Sequence, residues 1–180
     1  MLNVQKVSPI KVEDNFLRQG EFETLKEWFV NSRSDIDNCP WMYSPHVIGP
    51  QGDDPNDFQF IHVFWFPNRG VVSQHIDVIS PIMRKINPKA WLRIKANLQP
   101  KNIEVYEDPL HVDLNKVSCT TSIFYVNTCN GYTYFEDGSK VESVANRLVT
   151  FPSQTKHAGT TCSDQVSRVV INFNYHKYYD

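Results

Sequence analysis

The sequence lacks the features that mark membrane, secreted and nucleic-acid-binding proteins. No apolar run approaches the roughly 20 residues that a membrane-spanning helix needs, and the first residues carry no secretory signal. The 18 Lys and Arg are balanced by 20 Asp and Glu, without a block of like charge. A phosphate backbone or an anionic membrane is therefore a poor match for this chain. We expect a cytoplasmic protein with neither bulk nucleic acid nor membrane as a partner.

Cysteine is scarce and irregularly spaced. Its four positions match no zinc-binding pattern, and without a secretory signal they give no reason to expect disulfides: Cys39, Cys119, Cys129 and Cys162. We expect free, mostly buried thiols. Repeats, low-complexity tracts and domain boundaries are missing as well. We therefore interpret the 180 residues as one domain.

What the sequence does contain begins with alternating helical and strand patterns. Residues 4–16 predict a short strand, and the segment EFETLKEWFVNS carries apolar side chains at helical spacing. Residues 38–56 are dense in Pro, Gly and Asp, which is typical of a long functional loop. The run FQFIHVFWF predicts a buried strand, IDVISPIMRKI a second helix with Pro81 near its start, and AWLRIKANLQP a further strand.

The second half of the chain consists of short strands separated by turn signals. Asn130-Gly131 and Asp137-Gly138 are both hairpin candidates. Two small helices followed by closely spaced strands predict a mainly β fold, an antiparallel barrel or double-sheet jelly roll with helices packed on one side. Residues 1–100 would supply the helices and supporting strands, and residues 101–180 the jelly-roll core.

The most informative residues are His111 and Asp113, with His157 further along the chain. In an extended segment residues i and i+2 point the same way, so His111 and Asp113 can reach one ion. Two imidazoles and one carboxylate on one face of a metal are the ligand set of non-haem iron(II) oxygenases, although zinc can also occupy such a site. We call His111, Asp113 and His157 the triad.

With these residues in view, the chain resembles the iron(II)- and 2-oxoglutarate-dependent oxygenases, in particular the prolyl 4-hydroxylase-like branch and its small phage-encoded relatives. The resemblance is strongest from His111 to Tyr175, through SIFYVN, NGYTYFEDG, NRLVTFPS, KHAGT and SRVVINFNY. The earlier segments DNFL, CPW and RIKANLQP are also similar to the phage-type proteins. The resemblance implies a double-stranded β-helix, with residues 101–180 as its catalytic core, and the host cytoplasm as the location if the chain is phage-encoded.

The resemblance also implies roles for individual residues. The triad would hold Fe(II), and Arg168 would grip the distal carboxylate of 2-oxoglutarate, a task that suits the guanidinium fork. Strand alternation places Arg168 on one face with Val170 and Asn172. Tyr125 and Thr133 match residues that line the cosubstrate pocket in the family.

The implied reaction consumes O2 and 2-oxoglutarate, with ascorbate in support, and hydroxylates an unactivated C–H bond while releasing succinate and CO2. A prolyl residue in a peptide or protein is the first expectation for the substrate. A free amino acid, another small metabolite or a nucleobase is the alternative, and a non-catalytic jelly-roll binding protein is a second one. Trp41, Tyr43 and Tyr106 lie in segments that would contact substrate. No pattern predicts the oligomeric state.

A second His-x-Asp motif shows why the motif alone is weak evidence. His75 and Asp77 lie where helical periodicity begins, and residues i and i+2 of a helix point about 160° apart. We therefore reject this pair as metal ligands. His62, within the aromatic strand, is interpreted as a core histidine, and Arg147 as structural.

Overall fold

The computed structural model describes residues 10–31, 37–47, 58–114 and 117–178. Residues 4–9 of the predicted strand at 4–16 and residues 48–56 of the predicted loop at 38–56 lie outside the described residues. Within the described ranges no helix is long and apolar enough to cross a membrane. The two α-helices are α1, Gln19–Lys26, and α2, Ser80–Ile86. A π-helical turn, Glu27–Asn31, extends α1, and a 3-10 turn, Ile76–Ile79, leads into α2.

Strands make up most of the described structure. They are β1 Lys11–Glu13, β2 Met42–Ser44, β3 Gln59–Phe66, β4 Gly70–Val71, β5 Ala90–Pro100, β6 Thr120–Tyr125, β7 Tyr132–Phe135, β8 Lys140–Glu142, β9 Arg147–Pro152, β10 His157–Ala158 and β11 Ser167–His176. In the described part of the chain, the larger sheet has the order β1-β9-β6-β11-β5-β3-β2, with β4 beside β3, and the smaller has the order β10-β7-β8. All of these pairings are antiparallel. This confirms the predicted mainly β fold with packing helices.

The helices form where the apolar spacing predicted them. On α1, Phe22 and Leu25 are buried, because residues three apart on a helix share a face. Pro81 stands in the first turn of α2, where its missing N–H costs no hydrogen bond. The helix ends at Asn87, which adopts the left-handed conformation with φ 43°.

The long strand β5 separates the hydrophobic core from the interior of the jelly roll. Its even-numbered residues Ile94 and Ala96 are fully buried in the cluster that includes the helices. From Arg93 to Gln99 its odd-numbered residues point to the opposite face because side chains alternate along a strand. Trp91, beyond an irregularity in the pairing with β11, packs against the core instead. The neighbouring strand β11 follows the same rule, with Ile171 and Phe173 in the helix-side core. The opposite faces of β5 and β11 are therefore available to form a site.

Of the two predicted hairpins, one is confirmed and the other is wrong. Asp137-Gly138 connects β7 to β8, and Gly138 has φ 85°, which favours glycine. Asn130-Gly131 joins no such pair, because β6 pairs with β9 and β11 instead of β7. Gly131 is required for another reason, a close approach to Arg168 described below.

Candidate metal and cosubstrate site

The backbone brings the two histidines of the triad face to face. His111 and His157 form an antiparallel bridge in which each N–H donates to the other residue's carbonyl, at 2.9 and 3.0 Å. Their ring centroids are 5.0 Å apart. Asp113 follows two residues after His111, and its Oδ2 lies 4.0 Å from His157 Nε2. The ligating atoms of all three side chains lie within 4.8 Å of one another.

Backbone carbonyls orient both imidazoles. His111 Nδ1 lies 3.2 Å from the Pro109 carbonyl oxygen, and His157 Nδ1 lies 3.0 Å from that of Thr155. A carbonyl oxygen only accepts, so each Nδ1 carries the proton and each Nε2 keeps its lone pair. Metal-binding histidines are commonly fixed in this way. Both rings are therefore prepared to coordinate through Nε2.

The carboxylate of the triad is held by hydrogen bonds from two strands. Arg93 Nη2 donates to Asp113 Oδ1 at 2.7 Å, and Asn174 Nδ2 donates to Asp113 Oδ2 at 3.0 Å. Arg93 Nε also donates to Asn174 Oδ1 at 3.0 Å, which closes a three-residue network. Burial raises the pKa of Asp113, but Arg93 and the other neighbours outweigh it and bring the pKa to about 2. Asp113 is therefore ionised at neutral pH.

The protonation of the site suits a divalent cation. Burial, together with the adjacent His157, lowers the pKa of His111. A neutral imidazole and an ionised carboxylate are the forms that bind metal. The donor set of two imidazoles and one carboxylate fits Fe(II), with the remaining coordination positions left for other ligands.

Arg168 lies deep in the jelly roll, only 3% exposed. It projects from β11 opposite Gln99 of β5. Its Nε donates to Ser143 Oγ at 2.7 Å and its Nη2 to Thr133 Oγ1 at 3.1 Å. These two hydrogen bonds fix the orientation of the guanidinium. The sequence did not indicate Ser143, because this residue follows β8 and belongs to no motif.

Tyr125 and Thr133 meet beside that guanidinium. The Tyr125 hydroxyl donates to Thr133 Oγ1 at 2.8 Å, and the Arg168 Cζ lies 5.6 Å from the Tyr125 ring centroid. Burial raises the pKa of Tyr125, so its hydroxyl is protonated. The two residues expected at the cosubstrate pocket thus lie together at Arg168.

Two glycines make room for Arg168. A Cβ on Gly131 would lie 2.7 Å from Arg168 Cδ, so any side chain there would displace the arginine. A Cβ on Gly159 would lie 3.1 Å from Arg168 Nη1 and 3.5 Å from Asp108 Oδ2. Asp108 itself is buried and accepts from Gln99 Nε2 at 2.6 Å. The space in front of the guanidinium exists because position 159 has no side chain.

One cavity connects the metal triad to Arg168. The space between its walls, including open solvent at its mouth, is about 510 Å³. Besides the residues already described, its walls include polar side chains that sequence reasoning did not single out: Gln59, Lys95, Asn97 and Asn172. Strand alternation along RIKANLQP could have indicated that Lys95 and Asn97 share a face with Gln99.

The three aromatic residues expected to contact substrate lie away from the cavity walls. The Trp41 ring packs 5.9 Å from that of Phe29, against the helix-side core. Tyr43, on β2, is 63% exposed. The Tyr106 carbonyl accepts from Thr161 N at 3.0 Å. None of the three is among the described residues that line the cavity.

His75, His62 and Arg147, which were not expected to belong to the site, contact other parts of the fold. His75 precedes the 3-10 turn, and its ring lies 5.3 Å from Trp28. His62 is buried and hydrogen-bonded to the Pro40 carbonyl at 2.9 Å and to Ser73 Oγ at 2.8 Å. Arg147 donates to both carboxylate oxygens of Asp14, at 2.6 and 3.0 Å.

All four cysteines are free. Cys129 and Cys162 lie near Asp164, with ligating atoms within 4.8 Å of one another. Burial raises the pKa of Cys162 to about 11, so its thiol stays protonated at neutral pH.

Solved structures share this architecture. A prolyl hydroxylase from Trichoplax adhaerens, in complex with a hypoxia inducible factor oxygen degradation domain peptide fragment, aligns with a TM-score of 0.62 and 15% identity, over 93% of this chain and 83% of that one. A prolyl-4-hydroxylase from Pseudomonas putida gives 0.56 and 16%, over 94% and 92%. An oxidoreductase of the 2OG-Fe(II) oxygenase family from Burkholderia pseudomallei gives 0.58 and 11%, over 77% and 74%. No protein-family model and no curated protein matches the sequence. At these identities the likeness shows a shared fold.

Proposed function

We propose that this chain is an iron(II)- and 2-oxoglutarate-dependent dioxygenase of the prolyl 4-hydroxylase-like branch. The observation that carries the proposal is the joining of two built sites in one cavity: a His-Asp-His ligand set and a buried arginine. Either site alone has other uses. Together, on the fold shared with oxygenases, they match a metal and a dicarboxylate bound side by side.

Each residue then has a defined task. The triad would hold Fe(II) through His111 Nε2, His157 Nε2 and Asp113 Oδ2. When bound, iron and 2-oxoglutarate supply the oxidising chemistry, in which O2 and 2-oxoglutarate become succinate, CO2 and one oxygen atom inserted into a substrate C–H bond. Arg93 and Asn174 keep the Asp113 carboxylate oriented and ionised.

The cosubstrate end of the cavity is built from Arg168 and its neighbours. The guanidinium would bind the distal carboxylate of 2-oxoglutarate in the space that Gly159 leaves open. Thr133 and Ser143 hold the guanidinium in place. The Tyr125 hydroxyl donates to Thr133 Oγ1 and would have to turn its one proton away from that oxygen to donate to the same carboxylate. Fixed donors bind a carboxylate without a further ordering cost.

For the substrate, the first candidate is a prolyl residue in a peptide or protein. It is supported by the similarity to two prolyl hydroxylases, one of them bound to a peptide. The second candidate, a free amino acid or other small metabolite, is favoured by the polar side chains of the cavity wall, Lys95, Asn97 and Asn172. The site chemistry is the same for both, and the cytoplasmic location expected from the sequence suits both.

The test is succinate formation. Purified protein is incubated with Fe(II), ascorbate, 2-oxoglutarate and air, with proline-containing peptides and a metabolite panel supplied in separate reactions. We expect succinate above background with at least one substrate, and background levels in His111→Ala and Arg168→Met. His75→Ala, which removes the rejected histidine, should keep the wild-type yield. Equal succinate from wild type and His111→Ala would sink the proposal.

A further inference from the structure

One wall of the cavity carries polar groups that hold neither the metal ligands nor Arg168. Lys95 and Asn97 project from β5, and Asn172 lies directly opposite Lys95 on β11. All three line the cavity next to the triad. We call Lys95, Asn97 and Asn172 the polar wall.

The amide oxygens of Asn97 and Asn172 in the polar wall lack hydrogen-bond partners among the described residues. Within the described residues, Asn97 Oδ1 and Asn172 Oδ1 are buried and have no hydrogen-bond partner. Asn97 as a whole is only 9% exposed. Buried polar atoms of folded proteins nearly always have a partner, and an unmet acceptor destabilises the fold. Both residues line one cavity, so a ligand that brings N–H or O–H donors into it would supply the missing partners.

The polar wall also carries one positive charge, that of the Lys95 ammonium. In the described part of the chain, no hydrogen bond or ion pair involves the Lys95 ammonium. Asp113 is already paired with Arg93, and Arg168 and Asp108 carry opposite charges around Gly159. A divalent iron and a dianionic cosubstrate would offset each other. Lys95 is then a cation left over beside the metal site, which favours an anionic group in the substrate.

We propose that the polar wall binds a carboxylate of the substrate, with Lys95 facing the carboxylate and Asn97 and Asn172 accepting from adjacent N–H or O–H groups. This rests on the proposed function, because it assigns the space that remains beside the iron and 2-oxoglutarate. A free α-amino acid carries a carboxylate next to N–H donors. A peptide with an acidic side chain beside its backbone N–H groups presents the same chemistry.

The experiment measures binding, so that it does not depend on turnover. Protein loaded with Mn(II) and 2-oxoglutarate is melted in the presence of three panels: the free L-amino acids, their C-terminal amides, and capped dipeptides containing Asp or Glu next to Pro. Compounds that bind the folded state raise its melting temperature. We expect carboxylate-bearing compounds to raise it by several degrees and the matching amides to have no effect. The panel that responds identifies the source of the carboxylate.

Variants assign the effect to the polar wall. For the compound that binds best, Lys95→Met should raise the Kd at least 10-fold. Lys95→Arg keeps the charge, so its Kd should stay within a few-fold of the wild-type value. Asn97→Leu and Asn172→Leu should each weaken it several-fold. Lys101→Met, which alters an exposed lysine just beyond β5, should change nothing.

Two outcomes overturn this assignment while the proposed function stands. One is that Mn(II) and 2-oxoglutarate bind but no carboxylate in the three panels stabilises the protein. The other is that Lys95→Met weakens the binding of 2-oxoglutarate as much as Arg168→Met does, which would mean that Lys95 binds the cosubstrate. If wild type binds neither Mn(II) nor 2-oxoglutarate, the proposed function fails together with this inference.

Discussion

The two sides of the cavity differ in how their polar groups are satisfied. Around the triad and Arg168, the polar side chains form short networks: Arg93 and Asn174 on Asp113, and Ser143 and Thr133 on Arg168. On the polar wall, both amide oxygens are buried without partners within the described residues. Both sides include residues of β5 and β11, so the choice of strand does not by itself explain the difference.

Under the proposed function, the two sides would hold different ligands. The metal and the cosubstrate would be the same in every turnover, and residues fixed by their neighbours bind such ligands in one geometry. The substrate would enter and leave, so the groups that recognise it would stay unpaired in its absence, which costs stability. The satisfied side, with the triad and Arg168, would then determine the reaction, and the unpaired side, the polar wall, would determine the substrate.

The strongest test of the satisfied side is Arg168→Met. It removes the guanidinium but keeps much of the apolar stem, so a dicarboxylate would be left with an unmet charge. We expect 2-oxoglutarate affinity to fall by about 100-fold or more, with Mn(II) affinity nearly unchanged. Calorimetric titration of both ligands measures this. Arg147→Met is the matched control, because that arginine pairs with Asp14 away from the cavity. Equal loss of metal and cosubstrate would show that Arg168 is misassigned.

A smaller effect is expected from Arg93→Met. This substitution leaves Asp113 Oδ1 without its donor, and groups that orient metal ligands are worth roughly 10- to 100-fold in metal affinity. Competition for Mn(II) with a chelator of known affinity would measure the loss. Arg69→Met, at an exposed arginine, should bind metal like wild type. An unchanged affinity in Arg93→Met would break the claim that this side is pre-set by its networks.

On the unpaired side, the sharper test is the pH dependence of carboxylate binding. Burial, with Arg93 nearby, lowers the pKa of Lys95 to about 8. As the pH rises through this value the ammonium loses its proton, so the affinity for a carboxylate ligand should fall several-fold between about pH 7 and pH 9. Lys95→Arg stays charged and should show a flat profile over this range. A matching decline in both proteins would place the titrating group elsewhere.

The smallest expected effect is a gain in stability. Asn97→Leu removes a buried unpaired acceptor, so the free energy of unfolding of the metal-free protein should rise by about 1 kcal/mol. Asn127→Leu removes an amide that is bonded on both sides, to Val169 N at 2.9 Å and to the Ser167 carbonyl at 2.8 Å, and should lower it. Urea unfolding of the two variants checks the contrast. Similar losses in both would mean that Asn97 has a partner in the folded state.

Much of the fold follows from the sequence because its signals are local. Apolar spacing predicts α1 and α2, and the runs of β-branched and aromatic residues predict β3 and β5. The Asp137-Gly138 turn is also local, since glycine is favoured at its φ of 85°. Asn130-Gly131 has the same local appearance but a different cause. Its glycine is needed because Arg168, 37 positions later in the sequence, passes too close for a Cβ.

The sequence predicted the residues of the candidate site only where a motif resembles that of a known family. His111, Asp113, His157 and Arg168 owe their predicted roles to the resemblance, because a His-x-Asp spacing by itself also occurs at His75 and Asp77. Alternation could place Lys95 and Asn97 on the inner face, yet it could not tell whether neighbouring strands would satisfy them. That depends on the cross-strand register, which sets Asn172 opposite Lys95 and Asn174 opposite Arg93. Register is a long-range property, and no short segment encodes it.

The alternation of β5 has a practical consequence for engineering. Its even-numbered residues, such as Ile94 and Ala96, belong to the hydrophobic core, whereas Lys95 and Asn97 face the cavity. A combinatorial library confined to Lys95, Asn97 and Asn172 would change the cavity lining while leaving the core contacts and the Arg93–Asp113 pair intact. Catalysts for new substrates could thus be selected from this scaffold without first rebuilding its stability.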